Sequence, residues 1–299
     1  MWLALAFFSA TFLGVYDVFK KTALRENAVL PVLFLNTVFC GALFTPFILL
    51  SLGESNILNN SLLYVPQVDI YAHGLIFIKS VIVLISWLFG YYGIKHLPIT
   101  IVGPINATRP VMTLVGAMLI FGERLNIYQW IGVLLALASL YLLSLSGKKE
   151  GINFKRNKWI VFVALSAVAG ACSGLYDKFL LQRVPPMTVQ SWFNIYQTAI
   201  MGTVLLLIWY PRRAHTTPFK WKWSILGISL FLSIADFAYF YALSMEEAMI
   251  SIVSMIRRGS VLVSFLFGAF VLQEKNLASK AIDLLFIVIG MLFLYYGSR

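Results

Sequence analysis

Residues 14–19 read Gly14-Val15-Tyr16-Asp17-Val18-Phe19, and the pattern returns 160 positions later as Gly174-Leu175-Tyr176-Asp177-Lys178-Phe179. A small residue stands four before each copy, Ala10 before Gly14 and Gly170 before Gly174. Small residues at that spacing let helices approach closely in lipid, where packing is a main source of association energy. Each aspartate lies three residues past its glycine, on nearly the same helical face. Asp17 and Asp177 are therefore expected to point into a packed interior. Further along, Phe121-Gly122-Glu123-Arg124 closes one apolar run and Leu272-Gln273-Glu274-Lys275 closes another. Membrane arginines precede each closure, Arg109 in the first case and the pair Arg257-Arg258 in the second. The chain is thus written twice, as a repeat over 1–147, a basic linker over 148–157 and a second repeat over 158–299.

Composition sets the medium in which these repeats fold. Of the 299 residues, 60% are hydrophobic and 12% charged, with a net charge of +11. Soluble domains carry about 25% charged residues. A disordered chain, a coiled coil and a small disulfide scaffold are excluded, and so apolar a chain has little surface for nucleic acid. A helix needs about 20 mainly apolar residues to cross the hydrocarbon layer. Ten such runs are present: Trp2–Lys21, Val29–Leu52, Tyr71–Ile94, Ile99–Phe121, Tyr128–Ser146, Trp159–Leu181, Val189–Trp209, Trp223–Leu243, Met249–Leu272 and Ala278–Tyr296. No room remains for a separate soluble domain, and the first run reads as an uncleaved helix. Five helices per repeat is an odd number, so successive copies must enter the membrane from opposite sides. The expected fold is an all-α membrane protein, ten transmembrane helices in two inverted five-helix repeats around a central cavity, with the substrate near the midplane between them. Cys40 and Cys172 fit no metal or disulfide pattern and are expected to be buried small apolar residues.

Loop charge gives the orientation. If the N-terminus lies on side A, side B holds Lys20, Lys21, Arg25, Lys95, Lys148, Lys149, Lys155, Arg156, Lys158, Arg212, Arg213, Lys220, Lys222, Lys275 and Lys280, whereas side A holds Arg124, Arg183 and Arg299. Basic loops stay in the cytoplasm, so side B is expected to be cytoplasmic and both termini outside. Trp130, Trp159, Trp221 and Trp223 are placed as interfacial anchors.

Charges inside spans are costly and mark sites or partners. They are Asp17, Lys79, Arg109, Asp177, Lys178, Asp236, Arg257, Arg258 and Asp283. Asn106, Arg109 and Thr113 form a polar stripe on the fourth helix, and Ser251, Ser254 and Arg258 a similar one on the ninth. Pro110 removes the usual helical donor for the carbonyl of Asn106, which points to a cavity wall there. An arginine fork suits a carboxylate or phosphate, so Asn106, Arg109, Ser254, Arg257 and Arg258 are candidate substrate contacts. The bland reading of each arginine is an Arg–Asp clamp between helices. Tyr16, Trp87, Tyr91, Tyr176, Trp192 and Tyr239 are candidates to line the cavity. Asp17, Asp177 and Asp236 are candidates for proton coupling. Their bland reading is ion pairing, of Asp17 with Lys21 four residues on and of Asp236 with an arginine of the ninth helix. Lys79 either reaches the cavity or stretches its amine toward side A. Asp283 is assigned to structure.

With its paired halves, the small residues opening each half and the closing motifs Gly122-Glu123-Arg124-Leu125 and Gln273-Glu274-Lys275, the whole chain resembles the drug/metabolite transporter superfamily, specifically its ten-helix EamA-type transporters. The resemblance implies an inverted-repeat fold, a cavity lined by helices 1, 3, 4, 6, 8 and 9, and export or exchange of small metabolites. Substrates across that superfamily include amino acids, nucleotide sugars and sugar phosphates. It also implies that Glu123 and Glu274 are structural, as acidic groups near the start of the following helix. Family members commonly keep both termini in the cytoplasm, opposite to the loop charges here.

The leading expectation is a secondary transporter of a polar small metabolite, amphoteric or anionic, working by alternating access as an exporter or exchanger. It would sit as a monomer or homodimer in a bacterial inner (plasma) membrane, with protons as a candidate coupling ion. No phosphate-binding loop of the ATPase kind is present, and no cofactor, metal or catalytic set is expected. The alternatives are a flippase for a lipid-linked phosphate or sugar, a non-transporting ligand sensor, and an intramembrane enzyme. For the last, His73, His96 and His215 fall in or near loops with no paired catalytic motif.

Overall fold

A computed structural model describes residues 1–53, 58, 61–96, 99–145, 157–260, 262–263 and 277–297. The elements are α1 (Trp2–Leu24), α2 (Val29–Leu52), α3 (Ile70–His96), α4 (Ile99–Phe121), α5 (Ile127–Leu145), α6 (Lys158–Leu181), α7 (Pro186–Val204), α8 (Ser224–Ser244), α9 (Ile250–Arg258) and α10 (Leu277–Gly297). The α7 rod continues as a π-helical turn, Leu205–Trp209, and a 3₁₀ turn, Tyr210–His215. Six helical rods among the described residues are long and apolar enough to cross a membrane: α1, α2, α3, α6, the rod beginning with α7, and α8. Shorter apolar stretches lie at Thr108–Phe121, Ile127–Ser139 and Val288–Gly297. The protein is an all-helical, multi-pass integral membrane protein. Most of linker 148–157, Glu274 and Lys275, and the side chains of Pro104 and Asp283 lie outside the described residues.

Helix pairing follows one rule. The α1 helix packs on α8 as α6 packs on α3, and α1 on α9 as α6 on α4; α2 packs on α7, and α5 on α10. Exchanging each helix with the one five places on maps these six pairings onto one another. Hydrogen bonds and close contacts give the directions. Ser9 Oγ donates to Ala235 O at 2.7 Å, while Asn27, just past α1, donates to Lys220 O just before α8. Ser86 and Ser166 donate to each other's carbonyls at 2.9 and 2.7 Å, while Tyr176 Oη donates to Leu75 O at 3.0 Å. In α2 and α7, Gly41 faces Thr198 and Gly202 faces Phe34. In α5 and α10, Gly132 faces Gly290, and Gln129 donates to Gly297 O. All four pairs are antiparallel.

Small residues set the closest approaches. A Cβ on Gly132 would stand 2.7 Å from Gly290 O, so this crossing is backbone against backbone. Gly14 meets Ser260 O and Val263, the α1–α9 counterpart of Gly116 against Leu175 between α4 and α6. The rule of small residues at the crossings holds: a Cβ on Gly14, which opens the first repeat, would stand 2.6 Å from Ser260 O, as close as any at Gly132 and Gly290. Cys40 is buried as expected, but Cys172 is exposed on the outer face of α6. A thiol is apolar enough to face lipid without penalty, so apolar surroundings in sequence did not mean burial in protein.

Candidate functional site

The second Gly-x-Tyr-Asp motif anchors a chain of buried polar contacts. Asp177 of α6 forms an ion pair with Lys79 of α3, the side chains 6% and 2% exposed. An isolated buried charge costs several kcal/mol, so each sustains the other. Tyr239 Oη of α8 donates to the second Asp177 oxygen at 3.2 Å. The Lys79 ammonium sits 4.4 Å from the Phe193 ring centroid and 4.7 Å from that of Phe240. Arg257 of α9 lies 4.0 Å over the Tyr239 ring and donates from Nη2 to Asp236 Oδ1 at 2.8 Å. Lys79, Asp177, Tyr239, Arg257 and Asp236 therefore link α3, α6, α8 and α9. Arg257 and Asp236 retain 17% and 15% side-chain exposure, so they border open space. Of the readings for Lys79, the stretch toward side A is excluded by its burial; for Asp236, the arginine of the ninth helix is Arg257.

Arg109 reaches this region from α4. Its Nη2 donates to Gly170 O at 2.9 Å, and its guanidinium fills the space a Cβ on Gly170 would take. Thr113 Oγ1 donates to Arg109 O at 3.1 Å. The bare face of Gly174 looks toward Tyr239 Oη and Thr113 Cγ2. The expected stripe is thus real, but Arg109 clamps onto a backbone carbonyl, not an aspartate. Among the described residues Arg258 has no hydrogen bond or ion pair, and it is half-buried. Asn106 and Ser254, one turn from Arg109 and Arg258 respectively, are half-buried.

The first motif is arranged differently. Asp17 pairs within its own helix with Lys20 at 2.5 Å, three residues on, where Lys21 was the expected partner. The Lys20 ammonium stands 4.4 Å over the Tyr16 ring, and Tyr16 Oη meets Tyr91 Oη at 3.3 Å. Asp17 is 35% exposed against 6% for Asp177. Only Asp177 meets the expectation of a packed interior, because only it gains a partner from another helix.

Three candidates lie apart from these contacts. Tyr176 spends its hydroxyl on Leu75 O. Trp192 stacks edge-on against His73 at 4.7 Å and lines a separate cavity of about 170 Å³ with Ile48, Leu52, Val65, Gln67 and His73. Trp87 is half-buried among three apolar clusters.

Sequence reasoning missed several contacts. Lys178 Nζ donates to Ala248 O at 2.7 Å and to Leu243 O and Met245 O, pinning the turn before α9. Gly122 (φ 64°) ends α4 in the left-handed region and delivers Glu123 to the α9 N-terminus. There Glu123 accepts from Ile250 N at 2.7 Å, from Ser251 N at 3.2 Å and from Ser251 Oγ. The structural role expected for Glu123 holds, but the helix it caps is α9, not the following α5. The α5 cap is Asn126 with Gln129, whose side chains each accept from the other's backbone N–H at 2.9 Å. That capping box, Asn-x-x-Gln, was legible in sequence.

The pairing of halves has a counterpart in known sequences. The sequence model of the EamA-like transporter family matches residues 1–145 and again residues 157–296. The chain belongs to this family. As an EamA-like protein it is a membrane transporter of the drug/metabolite transporter superfamily. No curated protein sequence matches it. A solved crystal structure, described only as that of a protein, superposes with a TM-score of 0.74 over 98% of this chain and 95% of its own at 15% identity. That likeness concerns the fold alone.

Proposed function

We propose that this EamA-like protein is a secondary transporter that moves a small polar metabolite with an anionic group by alternating access, as an exporter or exchanger. The observation that carries this is the presence of two half-buried arginines within the helical bundle, Arg109 and Arg258, with no carboxylate ion pair among the described residues. Guanidinium groups stay charged in proteins, and one without a carboxylate partner inside a membrane bundle favours an anion beside it. Arg257, Tyr239 and Asn106 complete the contact set in this reading.

Ten spans in two inverted repeats, 1–147 and 158–299, provide the motion. Support comes from the antiparallel crossing of α2 with α7 and of α5 with α10, each pair equivalent under the half-exchange. Equivalent helices running in opposite directions are what inversion requires, and rocking such halves alternately opens each face. Asp17, the more exposed of the two motif acids, is the better placed to exchange a proton during the cycle. The basic loops face the cytoplasm of a bacterial inner membrane.

The test is solute counterflow in proteoliposomes loaded with a metabolite extract, wild type against Arg109→Gln and Arg258→Gln. Uptake by wild type that both variants lose supports the reading. Equal uptake by all three, or none above empty vesicles for wild type, ends it.

A further inference from the structure

We propose that the side-B junction of α1 with α8 binds an anionic phospholipid, whose phosphate meets Arg25 and Lys220 and whose glycerol and upper chains lie along Trp221 and Trp223. The junction is built largely by backbone groups. Asn27, buried just past α1, donates to Lys220 O at 2.7 Å and accepts from Lys220 N at 2.8 Å. Lys222 Nζ reaches back to Thr22 O at 3.0 Å and Arg25 O at 2.6 Å, where the end of α1 leaves carbonyls without helical donors. One level deeper, Phe19 of α1 lies on Gly227 of α8. Arg25, Lys220 and Lys222 are thus gathered at one end of two membrane rods. Glu26 is the one acid in residues 19–28 or 216–227. The side chains of Arg25 and Lys220 are exposed and take part in no hydrogen bond or ion pair among the described residues.

The tryptophans give the second half of the surface. All eight in the chain are described, and only Trp221 and Trp223 are exposed, at 46% and 76%. Their rings meet edge-on at 5.9 Å, and Trp221 also meets Phe39 of α2 at 6.1 Å. Indole rings left bare at the end of a membrane rod favour the headgroup level of a bilayer. Rings and cations therefore stand together where a lipid carries its chains and its phosphate. An arginine fork and an ammonium suit phosphate oxygens. A lipid of net negative charge gains about fivefold in affinity per basic residue near the surface. A choline headgroup would bring its own cation between Lys220 and Lys222, which flank Trp221 in sequence, so a zwitterionic lipid gains little here.

The experiment takes the full-length protein in an uncharged detergent and measures Tm with phosphatidylglycerol, phosphatidylcholine or glycerophosphoglycerol added, the last being the first lipid's headgroup without chains. Native mass spectrometry counts the lipid retained. Phosphatidylglycerol is expected to raise Tm and to be retained about tenfold over phosphatidylcholine, with high salt narrowing the difference. Glycerophosphoglycerol, which offers nothing to the tryptophans, is expected to give no shift. Arg25→Gln with Lys220→Gln is expected to erase the preference; both substitutions spare the backbone groups that build the junction. Trp223→Ala is expected to lower retention of phosphatidylglycerol with every charge kept, and Arg183→Gln, on side A, to change nothing. The comparison of lipids on wild type stands even if a variant fails to fold. Equal stabilisation by the two lipids overturns the proposal, as does a preference that survives the double substitution. A shift with glycerophosphoglycerol that the double substitution removes assigns these charges to a soluble anion and overturns the lipid.

Discussion

Lys79 and Asp177, 98 residues apart in sequence, form an ion pair that joins α3 to α6 with both side chains almost fully buried. Tyr239 occupies the other carboxylate oxygen, and Arg257 covers the face of that tyrosine. One pair thus ties a helix of the first repeat to the acidic motif of the second and leads, contact by contact, to the arginines of α9.

Removing one partner leaves the other charged and unpaired in the interior. Lys79→Met or Asp177→Asn is expected to cost about 3–5 kcal/mol, read as a fall in Tm of the detergent-purified protein. The double variant, which removes both charges, is expected to recover much of that loss. Three equally destabilised proteins would mean that the pair contributes only through packing.

Two glycines predict opposite outcomes for the same substitution. At Gly170 a new Cβ meets the end of a flexible side chain, the Arg109 guanidinium. Gly170→Ala is expected to leave Tm nearly unchanged and to weaken anion binding about tenfold by shifting the fork, since about 1.4 kcal/mol is a factor of ten. At Gly132 the Cβ meets Gly290 O and Leu294 N, which cannot move without parting α5 from α10. Gly132→Ala is expected to cost about 1–3 kcal/mol through overpacking and to leave affinity alone. A swap of these phenotypes would contradict the packing described.

These two glycines also mark where sequence stops being legible. Spans, halves and the polar stripe of Arg109 follow from hydropathy and helical spacing, which are local. That Gly170 belongs to Arg109 depends on how α4 lies against α6, and no spacing within either helix encodes that. Lys20 won Asp17 over Lys21 because three and four residues on are both within helical reach; the choice falls to surroundings such as the Tyr16 and Tyr91 rings. Glu123 was legible as a cap, but its target was not, since Ile250 is 127 residues away.

Glu123 gives the next expectation. Its carboxylate satisfies two free N–H groups at the start of α9, where negative charge also complements the helix dipole. Glu123→Gln retains one acceptor oxygen and loses the charge, at an expected cost of about 0.5–2 kcal/mol. Amide exchange at Ile250 and Ser251 is expected to quicken, with α5 unaffected because Asn126 and Gln129 cap it. Faster exchange in α5 with α9 unchanged would restore the local capping role.

Orientation closes on two surface positions. The 3₁₀ turn Tyr210–His215 carries Arg212 and Arg213 on the side rich in basic residues, and Arg183 follows α6 on the opposite side, exposed. Basic loops resist translocation, so the first side is expected to be the cytoplasmic one. With the exposed native thiol removed by Cys172→Ala, Arg213→Cys is expected to resist a membrane-impermeant maleimide in intact cells and to react after permeabilisation. Arg183→Cys is expected to react in intact cells. Cys40 is buried and stays silent in both. The reverse pattern would place both termini in the cytoplasm, as family habit has it, and would assign fifteen basic residues to the outer face against three within. The potential across the membrane would then oppose the charge distribution of the chain, and charges outside the short loops would have to account for its insertion.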